Sequence, residues 1–118
     1  SDIFITALGN IDIDIVNPES LVLAKSVRNN FLALKVSFFN QVYDYCNSQN
    51  LDYEAVAKVV GDDSRITASH TTISEERGYG GHCFPKDVKA LVTSAKLSGS
   101  PITLLEEAQR YNNLVRKS

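Results

Sequence analysis

The sequence lacks most features that sort a protein quickly. Its 118 residues carry 12 Lys and Arg against 14 Asp and Glu, a net charge of −2. Such a balance offers no basic footprint for nucleic acid and no polybasic patch for a membrane surface. No apolar run approaches the roughly 20 residues that cross a bilayer. No charged-then-apolar signal segment opens the chain, so a cytoplasmic location is the expectation. Cysteine is scarce: Cys46 and Cys83 are the only two, too few for a disulfide framework, and a bridge between them is not expected in the cytosol. With His70 and His82 they make four potential metal ligands, but without paired ligand spacing no zinc site is expected. Internal repeats and low-complexity stretches are missing too. What remains, 43% hydrophobic and 22% charged, suits one ordinary globular domain with a modest core.

Hydrophobic periodicity predicts a mainly α fold built around one long helix, with a short extended segment at the N-terminus. Residues 1–20 alternate, as in Asp2-Ile3-Phe4-Ile5 and Ile11-Asp12-Ile13-Asp14-Ile15, and read as strands or an extended arm or linker. Gly9-Asn10 between them is a turn signal that allows a hairpin. Pro18 punctuates the chain before a helix expected from about Leu21 to Asn47, a span free of Pro and Gly. Two apolar stripes run along it. Leu32, Val36, Phe39, Tyr43 and Cys46 form one; Val27, Phe31, Leu34, Phe38, Val42 and Tyr45 form the other. Such a helix needs wide cover, from a partner subunit or from a crowded single core.

Asp52 reads as the N-cap of a short helix that ends at Gly61, and residues 62–82 read as loop. A third helix is expected near Pro85, with Val88, Leu91, Val92 and Ala95 on its apolar face and Gly99 as its stop. Ser100 and Pro101 then read as the cap and first residue of a last helix. Leu104, Leu105, Ala108, Tyr111 and Val115 line it, and it runs off the end of the chain.

The chemistry concentrates in Gly78-Tyr79-Gly80-Gly81-His82-Cys83-Phe84-Pro85-Lys86-Asp87. Three glycines in four residues permit positive φ and close approach of backbone to a ligand. Cys83 falls at a helix N-terminus, where backbone N–H groups and the helix dipole favour a thiolate, and Lys86 adds positive charge. Those are the conditions for a nucleophilic thiol. Asp87, four residues on, shares its helix face. Taken alone, Cys83 fits a small buried hydrophobe better than a nucleophile. His82 fits best as a loop histidine bonded to nearby backbone.

The ten-residue string resembles the glycine-rich cysteine motif of the UDP-glucose/GDP-mannose dehydrogenase family, Gly-aromatic-Gly-Gly-x-Cys-Phe-Pro-Lys-Asp, at every fixed position. Upstream, Lys25 to Asn40 resembles the family's central-helix motif: a Lys, an Asn four residues later, Phe-Leu-Ala, then Lys-aliphatic-Ser-Phe-x-Asn. Lys25 and Asn29 align with the family's catalytic pair, and their spacing puts them on one helix face. Without the resemblance, Lys25 is a solvated charge and Asn29 a polar-face residue. Asp63-Ser64-Arg65-Ile66 is a weaker match, whose Arg65 would reach the sugar nucleotide of the neighbouring subunit; a loop salt bridge with Asp62 or Asp63 is the alternative. Val22 and Gln41 depart from the family, which often has acidic residues at both places.

The resemblance implies a reaction and its assignments. The C6 alcohol of UDP-glucose would be oxidised to the carboxylate with NAD, Cys83 attacking the aldehyde to give a thiohemiacetal and then a thioester. Lys25 and Asn29 would stabilise the oxyanion, and Asp87 would hold Lys25 or place water. Tyr79, Gly80, Gly81 and Arg65 would contact the substrate, and Lys86 would reach toward the cofactor. Phe84 and Lys86 favour UDP-glucose among the family's sugars. No Gly-x-Gly-x-x-Gly follows a strand, so the family's NAD-binding Rossmann domain and its C-terminal nucleotide-binding domain are not expected within these residues. Residues 21–118 are thus expected to be the central substrate-binding and dimerisation domain. A homodimer would form through the 21–47 helix, with an NAD-binding domain supplied in cis or in trans and no turnover by this chain alone. The competing expectation is a stand-alone, non-catalytic helical dimerisation module.

Overall fold

A computed structural model of the chain describes residues 17–116. The strands and turn expected before Pro18 lie outside the described residues. Four helices follow in order: α1 (Pro18–Ser48), α2 (Tyr53–Gly61), α3 (Phe84–Leu97) and α4 (Thr103–Val115). No strand occurs among the described residues.

Helix α1 starts earlier than the apolar pattern suggests. Asn17 caps it, its side chain accepting from the Ser20 N–H at 2.8 Å. Pro18 takes the first helical position, where its missing N–H costs nothing. Far from separating the arm from the helix, Pro18 opens the helix. At 31 residues α1 is about 46 Å long. It closes where Asn50 turns left-handed (φ 58°) and the Leu51 N–H reaches back to the Cys46 carbonyl at 2.8 Å.

Helix α1 packs against each of the other three helices. Two apolar clusters result. Ala33, Tyr79, Val88, Val92 and Leu105 join α1 to α3, α4 and the glycine loop. Phe39, Cys46, Tyr53 and Ala57 join the C-terminal half of α1 to α2. Full burial of a side chain such as Val88 or Leu105 stabilises by about 2 kcal/mol. The two stripes of α1 part company here. Phe39 and Cys46 of the first are buried, whereas Val27, Phe31, Phe38 and Tyr45 of the second stay open to solvent. No helix of the described residues is long and apolar enough to cross a membrane.

Helix α2 begins as expected, with the Asp52 carboxylate accepting the Glu54 N–H at 3.0 Å. Three expectations about α4 fail. Its N-cap is Ile102, which provides no side-chain bond. Ser100 is committed elsewhere: its N–H bonds the Ala95 carbonyl at 3.1 Å while Gly99 adopts φ 85°, the closure that ends α3. Nor does α4 run off the chain. It ends at Val115, and Arg116 turns extended. Leu104, expected on the buried face, is 76% exposed, and the polar Asn112 is buried instead.

Candidate functional site

The two motifs meet where α1 crosses the start of α3. Asn29 Nδ2 donates to Asp87 Oδ2 at 2.8 Å. The adjacent Asn30, itself buried, donates to the Asp87 carbonyl at 3.3 Å and to the Ser26 carbonyl at 2.8 Å. Consecutive asparagines of α1 thus hold both the side chain and the backbone of Asp87. The Asp87 N–H in turn bonds the Cys83 carbonyl, at 2.9 Å, in the first turn of α3. Cys83 is the N-cap of α3 and is exposed; Cys46 is buried in the α1–α2 cluster, and both thiols are free. Lys25 is exposed one turn before Asn29 and forms no ion pair among the described residues. Asp87, expected to hold Lys25, is held by Asn29, because a short amide on the facing turn reaches it directly.

The glycine loop before Cys83 is fixed from behind by Asn40, the last residue of the central-helix motif, together with residues outside both motifs. Asn40 is 1% exposed, and its Oδ1 accepts from the Gly78 N–H at 3.0 Å and from Arg77 Nε at 2.9 Å. Arg77 pairs with Asp44 at 2.8 Å, lies over the Tyr43 ring at 4.8 Å and holds a left-handed backbone, φ 67°. Tyr111 donates to Asp44 at 2.5 Å. Burial first, and then the neighbouring Asp44 carboxylate, push its phenol well above the usual range. Asn112 takes the Tyr79 N–H at 2.7 Å and returns a bond to the Tyr79 carbonyl at 3.0 Å. Arg116 Nη1 donates to the Arg77 carbonyl at 2.9 Å. The central-helix motif marked Asn40 and the apolar stripes marked Tyr43 and Tyr111, whereas nothing in the sequence marked Asp44, Arg77, Asn112 or Arg116.

These contacts give the three glycines different work. A Cβ on Gly78 would stand 2.0 Å from Asn112 Oδ1, and one on Gly80 2.0 Å from Arg116 Nη2. Gly81, at φ 85°, meets nothing within 4 Å and is the one free to lie against a ligand. Tyr79, expected on the sugar side, is occupied on the protein side. Its ring is buried edge-on to Phe84, 6.4 Å between centroids, and both backbone polar groups are taken by Asn112. That burial raises its phenol above the ordinary value.

The remaining candidates are dispersed. Arg65 pairs with Asp63 at 2.6 Å in the loop after α2. The bond holds the exposed Asp63 carboxyl below the usual carboxylate range. Arg65 also lines a groove of about 560 Å³ with Phe31, Leu34, Phe38, Val42 and Ile66, the open stripe of α1. Lys86 is exposed on α3 beside Lys89, Ala90 and Thr93. His82 is exposed and, among the described residues, makes none of the backbone bonds expected of it. No group of three His, Cys, Asp or Glu is placed to hold a metal among the described residues.

The profile of the UDP-glucose/GDP-mannose dehydrogenase family, central domain, matches residues 19–114. The chain belongs to this family. Within the family it is 40% identical over 100 residues to the UDP-glucose 6-dehydrogenase TuaD of Bacillus subtilis (strain 168), covering 85% of this chain and 21% of that protein. It is 37% identical over 91 residues to a UDP-glucose 6-dehydrogenase of Rhizobium meliloti (strain 1021), covering 77% and 20%. Over 108 residues it is 32% identical to that of Campylobacter jejuni, covering 92% and 26%. The chain therefore spans about a fifth to a quarter of these relatives' length.

Proposed function

We propose that the chain is the central domain of an NAD-dependent UDP-glucose 6-dehydrogenase, contributing the nucleophile Cys83 and part of the sugar-nucleotide site. The observation that carries this reading is the 2.8 Å bond from Asn29 to Asp87. It draws candidates from both motifs together beside the exposed Cys83.

The domain's share of the chemistry follows from these groups. Cys83 Sγ adds to the C6 aldehyde carbon, and the carbonyl oxygen becomes the oxyanion of a thiohemiacetal. Asn29 and Lys25, one helix turn apart, supply the amide N–H and ammonium that stabilise it as charge develops. After oxidation to the thioester, water adds to the same carbon, the C–S bond breaks, and the carboxylate leaves with Cys83 restored. Asp87 keeps Asn29 oriented and accepts a proton from the attacking water. Gly81 lies against the sugar, and Arg65 reaches the nucleotide across a subunit boundary. NAD does not fit the described residues, which offer no parallel strand with a glycine-rich turn into a helix. Hydride transfer is assigned to a Rossmann domain in cis or in trans, with Lys86 facing that side.

A second copy of the chain covers the open stripe of α1 in this proposal. Val27, Phe31, Phe38 and Tyr45, each at least 47% exposed, form a patch of the kind that marks an interface. The same patch suits the alternative, a non-catalytic dimerisation module. Pairing the chain with the NAD-binding and C-terminal nucleotide-binding domains of the family and measuring UDP-glucose oxidation separates the two. Turnover that Cys83→Ser abolishes supports the enzyme domain; turnover indifferent to Cys83→Ser removes Cys83 from the mechanism, and none at all favours the module.

A further inference from the structure

The loop that presents Gly81 and Cys83 has no secondary structure of its own, yet its first residues are bonded as fully as a strand in a sheet. Asn112 makes the pairing. Its amide accepts the Tyr79 N–H at 2.7 Å and donates to the Tyr79 carbonyl at 3.0 Å, both within buried surroundings. The side chain is 6% exposed and comes from the last turn of α4, 33 residues away. One residue earlier, Asn40 of α1 accepts the Gly78 N–H at 3.0 Å. Two amides from two helices therefore fix two successive peptides. Beyond them the restraint stops: Gly81, His82 and Cys83 are exposed, and nothing lies within 4 Å of where a Gly81 side chain would project.

We infer that Asn112 is a positioning residue for the candidate site: by gripping both polar groups of Tyr79 it sets the direction in which the chain leaves for Gly81 and Cys83. The inference rests on Cys83 as the site's nucleophile. Asn40 divides its amide, Oδ1 accepting from the loop and Nδ2 donating to its own helix at the Val36 carbonyl, 2.9 Å. Asn112 instead spends both ends of its amide on one residue of the loop. The tight fit also accounts for Gly78, since any Cβ there would collide with Asn112 Oδ1. Helix α4, which carries none of the family motif residues quoted above, thereby becomes part of the site's framework.

Amide hydrogen exchange on the 118-residue chain tests this without any turnover. In Asn112→Ala, protection at the Tyr79 N–H is expected to fall about tenfold, the scale of one lost buried hydrogen bond. The exchange of Gly80 to Cys83 is expected to speed up with it, while Ala33 and Phe39 in the core of α1 stay within about threefold. Asn112→Asp keeps the oxygen that accepts the Tyr79 N–H but sets a second oxygen against the Tyr79 carbonyl, so protection there should recover only in part, to a level between the alanine variant and the parent chain. This variant also serves if the alanine variant does not fold. Unchanged exchange at Tyr79 in Asn112→Ala would overturn the inference. So would loss spread equally over Ala33 and Phe39, or an aspartate variant that leaves Tyr79 as unprotected as alanine does. Failure of Cys83 as nucleophile would show separately, as turnover indifferent to Cys83→Ser.

Discussion

Replacing Asn40 by leucine is the perturbation whose cost can be built most directly from the structure. Leucine keeps the branching of asparagine and removes its polarity, and its bulkier methyl groups add overpacking, so the polar losses set a lower bound on the cost. Asn40 is 1% exposed and its amide serves three partners: the Gly78 N–H, Arg77 Nε and the Val36 carbonyl. The Val36 carbonyl still has its helical partner and loses little. The Gly78 N–H is buried and would be stranded, at about 1–3 kcal/mol. Arg77 keeps Asp44 and Tyr111 and loses only its Nε bond, about 1 kcal/mol. The sum is about 2–4 kcal/mol, a large share of a typical domain's 5–15 kcal/mol. Asn40→Asp retains the acceptor for both donors and should cost markedly less. Urea unfolding followed by far-UV circular dichroism measures both. A leucine variant within about 0.5 kcal/mol of the parent, the range of an ordinary surface change, would refute the role given to Asn40, as would an aspartate variant costing as much as leucine.

Three further outcomes follow from the same structure. Gly78→Ala should destabilise far more than Gly81→Ala in the same unfolding assay, because both hold left-handed backbone but only Gly78 also meets Asn112 Oδ1 at 2.0 Å; equal losses would contradict it. Tyr53 is raised from 10.0 to about 12, chiefly by burial. The folded state therefore binds a proton that the unfolded state releases, and stability present below pH 10 declines as pH rises toward 12, by about 3 kcal/mol if the full shift is realised. Tyr53→Phe should flatten that decline, and parallel pH curves would count against the assignment. The homodimer proposed above predicts a dimer mass for the parent chain by light scattering and a monomer mass, with helicity retained, for Phe31→Glu combined with Phe38→Glu, since both rings lie open on α1; a monomeric parent would contradict the proposed dimer, and an unchanged dimer mass would place its surface elsewhere.

What could be read from the sequence was local. The Asp52 cap and the Gly99 stop depend on residues within a turn of one another and lie where their patterns put them, and the long helix exceeds its apolar pattern by one turn at its start, where Asn17 and Pro18 open it. Ser100 misled because a serine before proline also fits the closing turn of α3, and that closure took it. Leu104 and Asn112 exchange the places that polarity assigns them, because α4 spends its inner face on gripping the glycine loop. The Asn29–Asp87 contact needed the crossing of α1 over α3, and the motif residues supplied the candidates but not the pairing. Asn40, Arg77, Asn112 and Arg116 act over 33 to 39 residues of sequence, a range at which periodicity carries no information. The second stripe of α1 was legible as apolar, and only the fold shows that Val27, Phe31, Phe38 and Tyr45 of it are exposed among the described residues.

The central claim is that Cys83 forms the covalent bond to the sugar. The most direct measurement is peptide mass spectrometry of the chain assembled with the NAD-binding and C-terminal nucleotide-binding domains of the family, quenched in acid during turnover of UDP-glucose and NAD. The predicted result is a UDP-sugar adduct on the peptide that contains Cys83, absent from the Cys83→Ser variant, with the buried Cys46 unlabelled. Sustained turnover with no adduct, or an adduct on Cys46, would contradict it.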